Sequence, residues 1–305
     1  MLTHVASVES LGLGENVRGE ILERKAIDLE HLGCKEEALQ LYETLLRGQI
    51  AGPLRLACER AAIRLAKPPR RWKPPQFPAL REAPEATLKA APHVVLLEDG
   101  TRGQEGWVAP GKGGKRGVGV EALALHHYKA KGYKGFHCEG AWAFALFALL
   151  GWELGALFDA SRNAFPTPVC DFPVTVAKEA YEEMLGRLRG MGAAELRSAV
   201  ARRWDASEGT QCRGIAWDFL PREFLAQTAG ACGGKALAAI FEDVIANGLS
   251  FGGMPDLCLW HPKEKRLKMV EIKGPNDTLS FRQRYMLDKL LGLGVDSSVL
   301  HVTAR

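Results

Sequence analysis

Apolar positions recur three and four residues apart through the first ~65 residues, which is the helical period. "GENVRGEILERKAIDLEHLG" (Gly14–Gly33) and "KEEALQLYETLLRG" (Lys35–Gly48) each predict a helix, with Gly33 and Gly48 as stops. In the second, Ala38, Leu41, Tyr42 and Leu45 fall on one stripe. The pair reads either as a helical-repeat hairpin of the tetratricopeptide type or as two packed helices. The prolines of "KPPRRWKPPQFPALREAP" (Lys67–Pro84) exclude a regular helix or central strand and predict a linker or extended arm. "HVVLLED" predicts a strand, and "APGKGGKRGVG" a basic, glycine-rich loop. "VEALALHHYKAKG" predicts an amphipathic helix ending at Gly132, followed by the short polar cluster in "YKGFHCEGAWAF". Two or three helices are expected between Thr175 and Trp204, and another in "GGKALAAIFEDVIANG". Two short apolar runs, "DLCLW" and "LKMVEI", then flank the polar turn "HPKEK". "LSFRQRYMLDKLLGLG" predicts an amphipathic helix with Ser280 as its cap, and "DSSVLHV" a last strand. From about Trp217 to Val302 the order is helix, helix, strand, strand, helix, strand. The expected fold is α+β, with a helical N-terminal region packed on a C-terminal α/β core. The expected divisions are 1–90 (helical, ending in the Pro/Arg-rich linker), 91–214 (mostly helical) and 215–305 (the α/β unit).

The 305 residues carry a formal net charge of +4, which permits an anionic partner without demanding one. Seven cysteines are scattered with no C-x-x-C pair, against a disulfide framework or structural zinc site and in favour of a reducing compartment. "MLTHVASVES" has neither a basic n-region nor a long apolar h-region, so no secretory signal is expected. The apolar segment Gly140–Phe158 is interrupted by Glu153 and too short without charge to span a bilayer, so a buried core helix is expected and no membrane partner. From Arg60 to Lys73 there are six basic residues and no acid after Arg60. Arg60, Arg64, Arg70 and Arg71 make a patch suited to phosphate, as do Lys115 and Arg116 in the glycine-rich loop. The alternative is a solvated helix end and a basic loop. That loop lacks the Gly-Lys-Ser/Thr ending of a nucleotide-phosphate loop.

The chemistry concentrates in "GGMPDLCLWHPKEKRLKMVEIKGPND", Gly252–Asp277. Residues two apart on a strand share a face, so Glu271 and Lys273 point one way and Ile272 the other. An antiparallel hairpin sets Asp256 near Glu271. Two close carboxylates repel, and one protonates unless a cation sits between them. A hard divalent ion, Mg²⁺ or Mn²⁺, suits such oxygen ligands, with the Ile272 carbonyl as a further donor. Lys273 is placed to orient or deprotonate a water or to offset transition-state charge. These features suit metal-dependent phosphodiester hydrolysis. The competing reading is an ion-pair ladder on a surface hairpin.

"GGMPDLCLW", "KMVEIKGPNDTLSFRQRYMLDKLLGLGV" and "LHV" resemble the VRR-NUC domain, of the restriction-endonuclease-like superfamily, as it occurs in the Fanconi-associated nuclease family. "VEALALHHYKAKGYKGFHCEGAWAFALFALLGWEL", "RNAFPTP" and "GGKALAAIFEDVI" resemble that family's preceding segment. The resemblance implies a structure-specific nuclease using Mg²⁺ or Mn²⁺ that cuts 5′ flaps, trims 5′ to 3′ and serves interstrand-crosslink repair. It implies metal-ligand roles for Asp256 and Glu271, the lysine role for Lys273, and a further glutamate role for Glu139 in "HCEG". Unaided, Glu139 reads as a first-turn acid complementing a helix dipole. Related folds place a site-facing polar residue near Gln283, which otherwise reads as an exposed helix glutamine. Implied partners are branched or flapped DNA and DNA-repair proteins, in the nucleus of a eukaryote or the cytoplasm of a bacterium. Relative to the family, no Cys/His spacing forms the ubiquitin-binding zinc finger, so no zinc is expected; the complete SAP domain is expected to be missing. Thr278 stands where many members carry Arg. Alternative functions are a Holliday-junction-resolvase or restriction-type nuclease, and a non-catalytic module that binds branched DNA.

Overall fold

A computed structural model describes residues 15–48, 50, 52–66, 80–96, 102–108, 117–152, 178–210, 212, 215–246 and 251–305. Arg70, Arg71, Lys115, Arg116, most of the proline-rich arm, the bulk of the glycine-rich loop and "RNAFPTP" lie outside the described residues.

Three helices open the described chain: α1 (Glu15–His31), α2 (Lys35–Arg47) and α3 (Gly52–Leu65). The expected stripe on α2 is buried at Ala38, Tyr42 and Leu45, and Leu39 and Leu46 widen it while Leu41 is only partly covered. These side chains close on Ala26, Leu54, Cys58 and Ala62 of the neighbouring helices. Full burial of each larger one contributes roughly 1.5–3 kcal/mol. Gly33 ends α1 with φ +82°, a left-handed position that glycine adopts without steric cost.

The remaining elements are β1 (Glu85–Ala90), β2 (Pro92–Leu96), β3 (Arg102–Trp107), α4 (Val120–Ala130), β4 (Lys134–His137) and α5 (Ala141–Leu150). They continue with α6 (Lys178–Gly190), α7 (Ala193–Ser207), α8 (Arg222–Cys232), α9 (Gly234–Ala246), β5 (Leu257–His261), β6 (Arg266–Lys273), α10 (Phe281–Gly292) and β7 (Asp296–Ala304). Five strands form one sheet in the order β1-β7-β6-β5-β4, and β2 and β3 pair separately. β5 and β6 are an antiparallel hairpin; β6 and β7 run parallel across α10; β1 lies parallel to β7 with Glu85 opposite Val299.

Strand alternation divides the core. Leu257, Leu259, Val270 and Ile272 face α4, where they meet Leu123, Ala124 and Tyr128. Cys258 and Met269 join the other cluster, built on Trp142, Leu146 and Phe147 of α5 with Leu225, Ile240 and Phe241. The apolar run expected as a core helix is therefore buried inside protein at α5. Among the described residues no single helix is long and apolar enough to cross a membrane; the bent pair α8–α9 passes only when taken together, across a 99° break.

The order from α8 to β7 is the one expected from sequence. The sheet, however, crosses the expected boundary at 214/215. β1, from residues just past the proline-rich linker for which no element is expected, and β4, from the polar cluster, form its two edges. The α/β unit is thus assembled from three stretches of chain, which places residues of the 91–214 segment beside the hairpin.

Candidate active site

The hairpin register sets the centre. Leu257 is opposite Val270, so one step further brings Asp256 alongside Glu271. Asp256 Oδ2 accepts from the Ile272 N–H at 2.7 Å. The Asp256 carbonyl accepts from the N–H groups of Cys138 and Glu139 at 3.0 and 3.1 Å. One residue thereby ties β6 to the turn that follows β4. Upstream, Gly253 has φ +84° and a Cβ there would lie 2.8 Å from the Arg282 backbone, so only glycine permits this approach to the start of α10.

Glu271 is 1% exposed and Lys273 7%. Lys273 Nζ lies 2.9 Å from Glu271 Oε1. Gln283 Nε2 donates to the same oxygen. Gln283 Oε1 accepts from Lys273 Nζ at 3.1 Å and from the Ser280 N–H at 2.8 Å. Ser280 Oγ in turn accepts from the Gln283 N–H at 3.2 Å, completing a capping box on α10. The amide that starts the helix therefore also orients the acid and the lysine. The structure brings together Asp256, Glu271, Lys273 and Gln283.

Glu271 Oε2 is buried without a hydrogen-bond donor. Burial first, and the neighbouring Asp256 carboxylate second, push the Glu271 pKa up to about 7, against the opposing pull of Lys273. Asp256 is also raised, chiefly by burial, with the charge of Glu121 adding to it; the Ile272 N–H, Lys273 and His137 oppose. Two desolvated carboxyls within hydrogen-bond reach, one with an orphaned oxygen, are short of positive charge. An oxygen-rich donor set of this kind fits a hard divalent cation such as Mg²⁺ or Mn²⁺.

Ligand atoms of His137, Glu139 and Asp256 lie within 4.8 Å of one another. Glu139 precedes Gly140, the N-cap of α5, and so stands outside the first turn where the dipole reading would put it. Its φ is +43°, an unusual conformation for a residue with a Cβ. His137 Nε2 is 3.9 Å from Glu139 Oε1. Glu121, on the first turn of α4, acts on Asp256 by its charge and was not singled out from sequence. Its only sequence signal is a glutamate at a helix start, a common position for an acid.

Of the basic residues expected to hold phosphate, Arg60 is exposed on α3, with its guanidinium 5.7 Å from the centroid of Phe281, the first residue of α10. Arg64 makes two hydrogen bonds to Glu30, at 2.5 and 3.0 Å, and so is engaged within the helical layer.

Residues 191–304 match the VRR-NUC domain. A Fanconi-associated nuclease 1 homolog of Arabidopsis thaliana is 31% identical over 300 residues, which cover 93% of this chain and 33% of that protein. Fanconi-associated nuclease 1 of Homo sapiens is 30% identical over 316 residues, covering 94% of this chain and 30% of that protein. A crystal structure of paFAN1 bound to DNA with a two-nucleotide 5′ flap and a gap superposes with TM-score 0.69 and 25% identity, over 93% of this chain and 49% of that one. The chain spans about a third of the length of the curated relatives it matches. Residues 191–304 are thus similar to a VRR-NUC domain, and the chain is similar, along most of its own length, to about a third of the Fanconi-associated nucleases.

Proposed function

We propose that the chain is a metal-dependent, structure-specific DNA nuclease that hydrolyses phosphodiesters in flapped or branched DNA. The reading extends to 5′-flap incision and 5′-to-3′ trimming in DNA repair, including interstrand-crosslink repair, in the nucleus of a eukaryotic cell or the cytoplasm of a bacterial one. The carrying observation is the buried Glu271 beside Asp256, with one oxygen orphaned and the other held by Lys273 and Gln283. Relatedness to nucleases, one of them solved with flap DNA, supports the same reading.

Asp256, Glu271 and the Ile272 carbonyl would hold Mg²⁺ or Mn²⁺, with Glu139 and Glu121 as the acids that approach from the turn after β4 and from α4. When bound, the ion supplies Lewis-acid polarisation of the phosphate and a more acidic water. Lys273 has three N–H bonds, and two are used by Glu271 and Gln283. The third is left for a phosphate oxygen or the attacking water, whose charge changes during reaction. Gln283 keeps this geometry rigid because its own amide is fixed by the cap. Arg60, Arg64, Arg70, Arg71, Lys115 and Arg116 would hold backbone phosphate, which positions DNA without reading its sequence. In this reading α1–α3 are a degenerate tetratricopeptide-like unit on a restriction-endonuclease-like core.

The test is cleavage of an end-labelled 5′-flap duplex with Mn²⁺, beside Asp256→Ala, Glu139→Ala, Glu121→Ala and an EDTA control. Cuts near the junction that require metal and Asp256 are expected, with loss of a hundredfold or more in Asp256→Ala. Flap binding without cleavage in the unaltered protein would make the chain a binding module. Symmetric paired cuts on a four-way junction would favour a resolvase.

A further inference from the structure

β4 is an edge of the main sheet: β5 pairs on one side, and among the described residues nothing pairs on the other. The open side is not bare. A groove of about 970 Å³ runs along it, walled by Leu125 and Lys129 of α4 and by Pro221 and Phe224 at the start of α8. That volume is at the upper end of roughly 300–1,000 Å³ typical of ligand sites. An exposed strand edge offers a row of N–H and C=O groups to another chain, and native proteins usually cover such edges or shorten them. Here the two helices stand off the edge and leave a slot.

The groove has a sign. Lys129, Lys134 and Lys265 line it, are exposed, and make no ion pair among the described residues. Among the described residues the one acid in the lining, Glu223, accepts a hydrogen bond from Gln227. Trp260, opposite Lys134 in the β4–β5 ladder, adds a half-buried apolar surface. Three cations around a free backbone edge with apolar walls describe a complement for an extended polypeptide carrying acids. Single-stranded DNA shares the negative charge, but its sugar–phosphate chain cannot continue a ladder of alternating N–H and C=O groups. Gly135, mid-strand, does not by itself signal a ligand: a Cβ there would lie 2.5 Å from Leu259 Cδ2 and Cys258 O, so β5 packing accounts for it.

We propose that the outer edge of β4 docks an extended acidic segment of a partner protein, which adds to the sheet as a further strand. Main-chain bonds to Lys134–His137 would give the affinity, and alternate side chains entering the two walls the specificity. The site is separate from the carboxylate cluster, although β4 runs directly into the turn that carries Glu139.

The probe is a displayed pool of octapeptides with Asp or Glu fixed at alternate positions and the rest random. Clones are expected to enrich on the unaltered protein over the Lys129→Glu/Lys134→Glu/Lys265→Glu protein, whose exposed substitutions should leave the thermal melt unchanged. The best clone, synthesised, should bind, slow hydrogen exchange at residues 134–137, and lose at least tenfold in affinity when N-methylated at alternate residues. That last comparison alters only the peptide, so it stands even if the triple variant folds poorly. No enriched clone, or equal binding of the N-methylated peptide, overturns the proposal. Oligothymidylate that protects the same amides, with no clone enriched, would make the groove a nucleic-acid channel and overturn it as well.

Discussion

An ionised Glu271 has one oxygen answered by Lys273 and Gln283 and one answered by nothing. With a folded pKa of about 7 against an ordinary value of 4.5, its contribution to stability is fully present below pH ~4.5 and lost as pH rises through 7. The loss is roughly 3 kcal/mol at most. Metal-free Glu271→Gln should therefore melt close to the unaltered protein near pH 4.5 and clearly above it at pH 8. Mn²⁺ should raise the melting temperature of the unaltered protein at pH 8 and leave that of the variant almost unmoved. A gap that is constant with pH would show that Glu271 does not titrate in this range. Glu139 poses the opposite trade. Its left-handed backbone costs roughly 1–2 kcal/mol that glycine would not incur. Glu139→Gly is expected to hold or raise the melting temperature by a few degrees while lowering metal-dependent cleavage; unchanged cleavage would remove its carboxylate from the reaction.

At the scale of elements, α10 begins where the site ends. Ser280→Ala and Gln283→Ala both break the capping box, and each should cost about 1 kcal/mol in denaturant unfolding. Only Gln283→Ala also frees Glu271 and Lys273, so it alone should lower kcat by tenfold or more. Equal kinetic effects would reduce Gln283 to a cap. The hairpin, the helix with its cap and the last strand were legible in sequence because each satisfies its period locally: Leu257 and Leu259 alternate, and Ser280 opens an amphipathic run. Asp256 near Glu271 followed from strand geometry alone. β1 and β4 were not legible. "EATLKA" is mostly exposed and owes its conformation to β7, more than two hundred residues away. "KGFH" is four residues long, too short for alternation to register, and owes its conformation to β5. Glu121 escaped for the same reason: only tertiary structure carries the first turn of α4 to Asp256.

Across the whole molecule, the helical layer and the stretch that leads into β1 both grip α10 from outside the core. Arg60 lies over Phe281, Arg282 pairs with Glu20 at 2.5 Å, and Arg81 pairs with Asp288 at 3.1 Å. The two arginines read together from sequence have separate situations here. Arg60→Ala is expected to weaken flap-DNA binding and to lower the slope of log K against log salt by about 0.9, the signature of one phosphate contact. Arg64→Ala loses the pair with Glu30 and should cost no more than about 1 kcal/mol of stability, with a smaller change in the slope. Identical slopes for both variants and the unaltered protein would take α3 out of the DNA interface.

β7 lies between β1 and β6, joining the earliest strand of the chain to the strand that carries Glu271 and Lys273. A nascent chain on the ribosome possesses all the acids and the lysine once residue 273 has emerged, yet β6 then has an open flank and β1 has no partner. For the proposed nuclease, competence for cleavage is expected only once translation has passed residue 304. Polypeptides aborted between residues 273 and 304 would contain the acids and the lysine without the strand that joins β1 to β6, so synthesis itself would withhold the proposed activity until β7 has been made.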